Sequence, residues 1–129
     1  MFTRDCTVTV PSFFAGKHMF AAMPHMHQTG VSMSTTLTTK DAKTVDLGTM
    51  PSFDFSRQAW VSIDDAVSSE GDVIRTRCGY TKRTGHKISF GEKTSDEMCY
   101  SFTMYYPRIT TPGWTWAFPA ATSKCVSEP

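Results

Sequence analysis

Two histidines stand one residue apart in the segment PHMHQTG, Pro24 to Gly30. Residues i and i+2 of an extended strand project to the same side. His25 and His27 would then bring two imidazoles to one spot, an economical way for a sheet to offer two metal ligands, while Met26 turns the other way into packing. Histidines so spaced also occur on surfaces or hydrogen-bonded in cores, and two alone do not complete a metal site. The further candidates are His18, His86, the eight methionines and nearby carboxylates. A second segment stands out, TSDEMCYSFTMYYP from Thr94 to Pro107, where Met98 follows two acids and precedes a cysteine at the start of an apolar strand.

The elements that must position these groups are strands. Thr, Ser, Val, Phe and Tyr are abundant and Leu is rare, a composition that favours sheet. In VSMSTTLTT, Val31 to Thr39, alternation puts Val31, Met33, Thr35 and Leu37 on one face. In DVIRTRCGY, Asp72 to Tyr80, it sets Ile74, Thr76, Cys78 and Tyr80 against Val73, Arg75 and Arg77. In MCYSFTMYY it puts Met98, Tyr100, Phe102, Met104 and Tyr106 on one side. Each run predicts a strand with one buried face. Turn signals separate them: Gly30, KDAK, LGTMPS, SSEGD, RTGHK and TTPGW. No helical period, repeat or low-complexity stretch is present, so the expected fold is an all-β, antiparallel sandwich of jelly-roll character forming a single domain over residues 1–129.

The 129 residues suffice for one hydrophobic core, and the formal charge of +1 gives no electrostatic footprint. The longest basic run is TKR, Thr81 to Arg83, which argues against nucleic acid or an anionic membrane surface as partner. No apolar stretch approaches the roughly 20 residues that span a bilayer. The N-terminal MFTRDCTVTV has neither an apolar core nor a cleavage site and is no signal peptide.

Four cysteines, Cys6, Cys78, Cys99 and Cys125, form no CxxC pair, which argues against a zinc ribbon. Their even number points to disulfides and an exported chain, either mature or excised from a larger one. Four buried free thiols in a cytosolic protein are the other reading. Three connectivities are open; a nested one, Cys6–Cys125 with Cys78–Cys99, would tie the two ends and staple two neighbouring segments.

Taken together, CTVTVP (Cys6 to Pro11), GKHMFAAMPHMHQTG (Gly16 to Gly30), GDVIRTRCGY (Gly71 to Tyr80) and FGEKTSDEMCYSFTMYYP (Phe90 to Pro107) carry a resemblance over nearly the whole chain. In order and spacing they resemble the C-terminal domain of the copper type II, ascorbate-dependent monooxygenases, the family of dopamine β-hydroxylase and peptidylglycine α-hydroxylating monooxygenase. The resemblance implies copper ligands at His25, His27 and Met98, and disulfides Cys78–Cys99 and Cys6–Cys125. It implies hydroxylation of an unactivated C–H bond of a small organic substrate with O₂, with ascorbate or another reductant as electron source, in a secreted, periplasmic or otherwise extracytoplasmic protein. The residue types suit this: thioether is soft and favours Cu(I), imidazole serves both copper states, and three ligands leave a position open.

The family's second copper sits in an N-terminal domain, on three histidines that include an adjacent pair. This chain has only His18, His25, His27 and His86, and no adjacent pair, so that domain is expected as a partner rather than within these residues. The peptide-hydroxylating branch grips a carboxylate with an arginine, an asparagine and a tyrosine; those places hold Met23, Tyr100 and Phe102 here. Peptidylglycine is therefore a poor substrate for this chain, and the three side chains suit either a less polar one or core packing.

The remaining residues have plainer roles. His18 is expected as a surface or hydrogen-bonded histidine, with a ligand role as the alternative, and His86 as a turn residue, with a substrate-side or extra metal role as the alternative. Asp96 and Glu97 are either solvated turn acids or acceptors behind a ligand imidazole. Trp60, Trp114 and Trp116 are expected in core or edge packing. Two functions compete with a monooxygenase module: an exported copper-carrying protein without hydroxylase activity of its own, and a disulfide-tied sandwich with no working site.

Overall fold

The computed structural model describes residues 1–81, 85, 87 and 89–109, and the backbone of 124–128. Eight strands follow in chain order: β1 Phe2–Thr9, β2 His18–His25, β3 Gly30–Thr38, β4 Thr44–Met50, β5 Val61–Val67, β6 Val73–Tyr80, β7 Tyr100–Tyr106 and β8 Lys124–Glu128. They form two antiparallel sheets, one of five strands ordered β4-β3-β6-β1-β8 and one of three ordered β5-β2-β7. This is the expected all-β, disulfide-tied sandwich.

Alternation explains the larger sheet. Met33, Thr35 and Leu37 of β3 are buried, and their intervening neighbours are not. Val31, expected on the same face, is only half-buried, because the pairing with β6 shifts by one residue between Gly30 and Ser32. On β6, Cys78 and Tyr80 point inward while Val73, Arg75 and Arg77 are exposed. Leu37 joins Val10, Met19, Leu47 and Ala66 in one core cluster that spans both sheets. Met33 joins Met26, Phe53, Cys78 and Tyr80 in a second.

The smaller sheet has a β-bulge in β2 between Met19 and Ala21, which restores the face of the strand across the extra residue Phe20. Met19 and Ala22 are therefore both buried although they are three apart. On the other side of the sheet, His18, Ala21, Met23 and His25 lie opposite Tyr106, Met104, Phe102 and Tyr100 in register.

Strand β7 buries the side that its composition would not single out. Ser101, Thr103 and Tyr105 face inward, while Tyr100, Phe102, Met104 and Tyr106 are each 43–48% exposed. The cause is covalent: Cys99 is bonded to Cys78, which is fully buried on the facing sheet. Period two then sends odd-numbered side chains inward and even-numbered ones out.

Trp60 is half-exposed at the entry to β5, an edge strand of the smaller sheet, so of the two places expected for it, core or edge, it takes the edge; Trp114 and Trp116 lie outside the described residues. Among the described residues, no helix is long and apolar enough to cross a membrane. Leu37→Ala should cost about 2–5 kcal/mol in urea unfolding, the range for truncating a buried leucine. Met104→Ala on the exposed side of β7 should stay within about 0.5 kcal/mol of wild type; a large loss there would mean that this side is covered in the folded protein.

Candidate metal centre

Only one of the two histidines is in a strand. His25 is the last residue of β2, and His27 lies beyond it, in the turn that leads to β3. The chain stays extended enough for Met26 to point away, fully buried, while His27 is 5% exposed. The two imidazoles meet edge to face with centroids 5.3 Å apart. A backbone bond from Gly30 N to His27 O, 3.1 Å, closes the turn. Glycine is required at its end, because a Cβ on Gly30 would lie 2.6 Å from Met26 Cβ.

Each ring has one nitrogen engaged. His27 Nδ1 is 3.2 Å from the Asp96 carbonyl, which can only accept, so Nδ1 carries the hydrogen. His25 Nδ1 is 2.5 Å from Gln58 Oε1. The Gln58 amide is oriented by its own Nε2, which donates to Phe55 O at 3.0 Å, so the oxygen faces His25 and Nδ1 donates again. These tautomers follow from the hydrogen-bond network. In both rings Nε2 is left as the nitrogen with a lone pair to offer. Locking one nitrogen to an acceptor is the usual way a ligand imidazole is oriented and its basicity raised.

Met98 lies just before β7. Three contacts fix its backbone. Tyr80 Oη donates to Met98 O at 3.0 Å. Glu97 Oε2 accepts from Met98 N at 3.3 Å and from His27 N at 3.1 Å. The Cys78–Cys99 bond ties the next residue to β6, across 21 positions of sequence. That bond approaches from the core side, since Cys99 packs against the cluster containing Met26 and Cys78.

Asp96 and Glu97 both stand behind the histidines, by routes different from the expected one. Asp96 uses its backbone carbonyl, and the Glu97 carboxylate goes to backbone amides rather than to an imidazole. Gln58 had no motif to mark it; it lies 33 residues from His25, and only the fold brings it there.

His18 belongs elsewhere. It lies at the far end of β2, paired through Nδ1 with Asp65 Oδ2 at 2.7 Å and stacked on Tyr106. His86 lies outside the described residues. Cys6 is disulfide-bonded, and its register partner on β8 is Cys125; the Cys125 side chain lies outside the described residues.

Among the described residues, no three side chains of the His, Cys, Asp or Glu types come together as a metal site. Beside the histidine pair stands Met98, whose backbone N shares a carboxylate oxygen of Glu97 with His27 N. The pair borders the exposed side of β7, with the His25 and Phe102 rings 5.8 Å apart and those of Tyr100 and Phe102 6.0 Å apart.

Fold and site thus define a disulfide-tied β-sandwich carrying an oriented imidazole pair at one end of its smaller sheet. The sequence profile of the copper type II ascorbate-dependent monooxygenase C-terminal domain matches residues 2–120, and the chain belongs to that family. It is similar to DBH-like monooxygenase protein 1 of Homo sapiens, 30% identical over 97 residues, which is 74% of this chain and 16% of that protein. The proteins of the same name from Gallus gallus and Mus musculus are 29% and 28% identical over the same length. The matched region is thus a small part, 16%, of each of these relatives. Membership supports copper and oxidoreductase chemistry at the level of the family, and the Cys78–Cys99 bond is consistent with an oxidising, extracytoplasmic environment.

Burial, then the charge of Glu97, push the Tyr80 phenol above the ordinary tyrosine value of 10.0, with Arg4 opposing. A raised folded value means that the folded state holds this proton at pH values where the unfolded chain has lost it. The resulting stability is intact below about pH 10 and declines as pH rises beyond it. Tyr80→Phe should flatten that alkaline decline while costing about 1 kcal/mol at pH 7 through the lost bond to Met98 O. Urea titrations at pH 7 and above 10 check both; an unchanged alkaline slope would refute the assignment.

Proposed function

We propose that this chain is the catalytic-copper module of a copper-dependent monooxygenase, with copper held by Nε2 of His25, Nε2 of His27 and the thioether of Met98. The observation that carries this reading is the matched state of the two imidazoles: each has Nδ1 committed to a fixed acceptor, leaving two Nε2 lone pairs on neighbouring rings. Two imidazoles and a thioether fit copper by type, the sulfur favouring Cu(I). Bound there, copper would supply O₂ activation for insertion of one oxygen atom into a C–H bond, the other leaving as water with two electrons from ascorbate or a similar reductant.

The protein's own part is orientation. Gln58 and Asp96 O keep the rings turned. Tyr80 and the Cys78–Cys99 bond keep Met98 at its post. Met98 lies two residues before Tyr100, at the end of β7 whose exposed side carries Tyr100, Phe102 and Met104, so a metal held there would border an apolar row. With Met23 opposite Phe102 and no arginine there, that surface favours a small organic substrate of low polarity over one with a carboxylate. Electrons would come through a separate copper domain, since these 129 residues hold only four histidines and no adjacent pair. The same count keeps a second reading in view, a copper-carrying protein without hydroxylation of its own. Either role belongs in an extracytoplasmic compartment.

Anaerobic competition with a Cu(I) chelator tests the ligand assignment. One equivalent should bind tightly, and His25→Ala or His27→Ala should each weaken binding by about 100-fold or more, beyond the 10–100-fold of a supporting residue. His18→Ala should leave it unchanged. Equal affinities in all four proteins would remove the copper reading. Adding a partner copper domain, ascorbate and O₂ then separates a monooxygenase, which forms hydroxylated product, from a carrier, which does not.

A further inference from the structure

Two of the three ligand positions lie outside strands, so the ladders of the two sheets do not fix them. His27 is in a turn, and Met98 ends the loop before β7. What joins them is a single buried carboxylate. Glu97 is 5% exposed, and both of its oxygens are used. Oε2 accepts from His27 N at 3.1 Å and Met98 N at 3.3 Å. Oε1 accepts from Thr29 N at 2.8 Å and Thr29 Oγ1 at 2.7 Å. The backbone of Glu97 is itself anchored, its N–H donating to Ser89 O at 2.9 Å and its carbonyl accepting from Gly91 N at 3.3 Å.

We propose that Glu97 is the positioning residue of the metal centre, its one oxygen Oε2 setting the spacing of His27 and Met98 before any metal arrives. This rests on the reading of His25, His27 and Met98 as ligands. A carboxylate suits the task because it is an acceptor at every lone pair and meets four donors here. Glutamine has nearly the same shape but only one acceptor oxygen; its NH₂ would face either the Thr29 donors or the two ligand amides. Aspartate keeps the charge but is one methylene shorter, so it can hold one of the two segments and not both. Charge-assisted bonds of this kind are stronger than neutral ones, which suits a joint between segments 70 residues apart.

The test compares wild type, Glu97→Gln, Glu97→Asp and Thr29→Val by two readouts. The first is amide hydrogen exchange of the metal-free protein, resolved by NMR at His27, Thr29 and Met98, with Leu37 and Ile74 as references on β3 and β6. The second is Cu(I) affinity by anaerobic chelator competition. In Glu97→Gln the His27 and Thr29 amides should exchange at least about tenfold faster while the references hold, and Cu(I) affinity should fall about 10–100-fold. Glu97→Asp should recover part of the affinity.

A Glu97 that serves only general stability would speed exchange at Leu37 and Ile74 as much as at His27, which would overturn the proposal. So would faster local exchange in Glu97→Gln with Cu(I) affinity within about twofold of wild type. Should Glu97→Gln fail to fold, Thr29→Val carries the test. It removes only the hydroxyl bond to Oε1 and should lower Cu(I) affinity about threefold with the references unchanged; no change in exchange or affinity would overturn the proposal. A wild-type protein that binds no Cu(I) would sink the copper reading instead, and exchange at His27 and Met98 would still decide whether the carboxylate joins the two segments.

Discussion

The bond between Cys78 and Cys99 decides which way every side chain of β7, Tyr100–Tyr106, faces. Cys78 is fully buried on β6, so Cys99 must point between the sheets. From there the pleat leaves no choice: Ser101, Thr103 and Tyr105 go in, and Tyr100, Phe102, Met104 and Tyr106 go out. Without that cross-link the larger apolar side chains would be the natural ones to bury, and a one-residue slip would turn Tyr100, Phe102, Met104 and Tyr106 into the core. Closing a loop of 21 residues also stabilises the fold by about 3 kcal/mol in the chain-entropy account. The same covalent link therefore contributes stability and turns an apolar row of β7 to the surface.

Around that constraint the candidate centre is built from polar joints rather than from strand ladders. Gln58, Asp96 O and Tyr80 each fix one atom of His25, His27 or Met98, and Glu97 fixes two, the backbone nitrogens of His27 and Met98. Every such bond contributes only about 1 kcal/mol net, but leaving one of these part-buried or buried groups unpaired costs more. The asymmetry makes the arrangement rigid, since no partner can leave cheaply. Beneath it, Met26 and Gly30 are packed so closely that the turn cannot settle inward. The result is an imidazole pair oriented at the rim of an apolar, exposed row, which is where a substrate of low polarity and a copper ion could meet.

Parts of this were legible in the residues alone. Alternation in Val31 to Thr39 and Asp72 to Tyr80 marks β3 and β6, because one face of each packs against the opposite sheet. Spacing raised the histidine pair as a candidate, while its reading as ligands, Met98 and the choice of Cys78–Cys99 came from a family pattern; the structure bears out the bridge and brings the histidines together. The exposed side of β7 was hidden, because composition cannot say which of two faces a distant disulfide will turn inward. The bulge at Phe20 was hidden too, since it belongs to the pairing of β2 with two neighbours. Gln58 and the role of Glu97 depend on contacts across 33 and 70 residues, and nothing local distinguishes either from a solvated polar side chain.

The most direct test is X-ray absorption at the copper edge of the Cu(I)-loaded protein, prepared without oxygen, beside Met98→Ala. Wild type should give a sulfur scatterer together with two imidazoles, and the variant should keep the imidazoles and lose the sulfur. Copper bound through nitrogen and oxygen alone in both proteins would contradict the account, leaving a family fold whose methionine serves packing and not the metal.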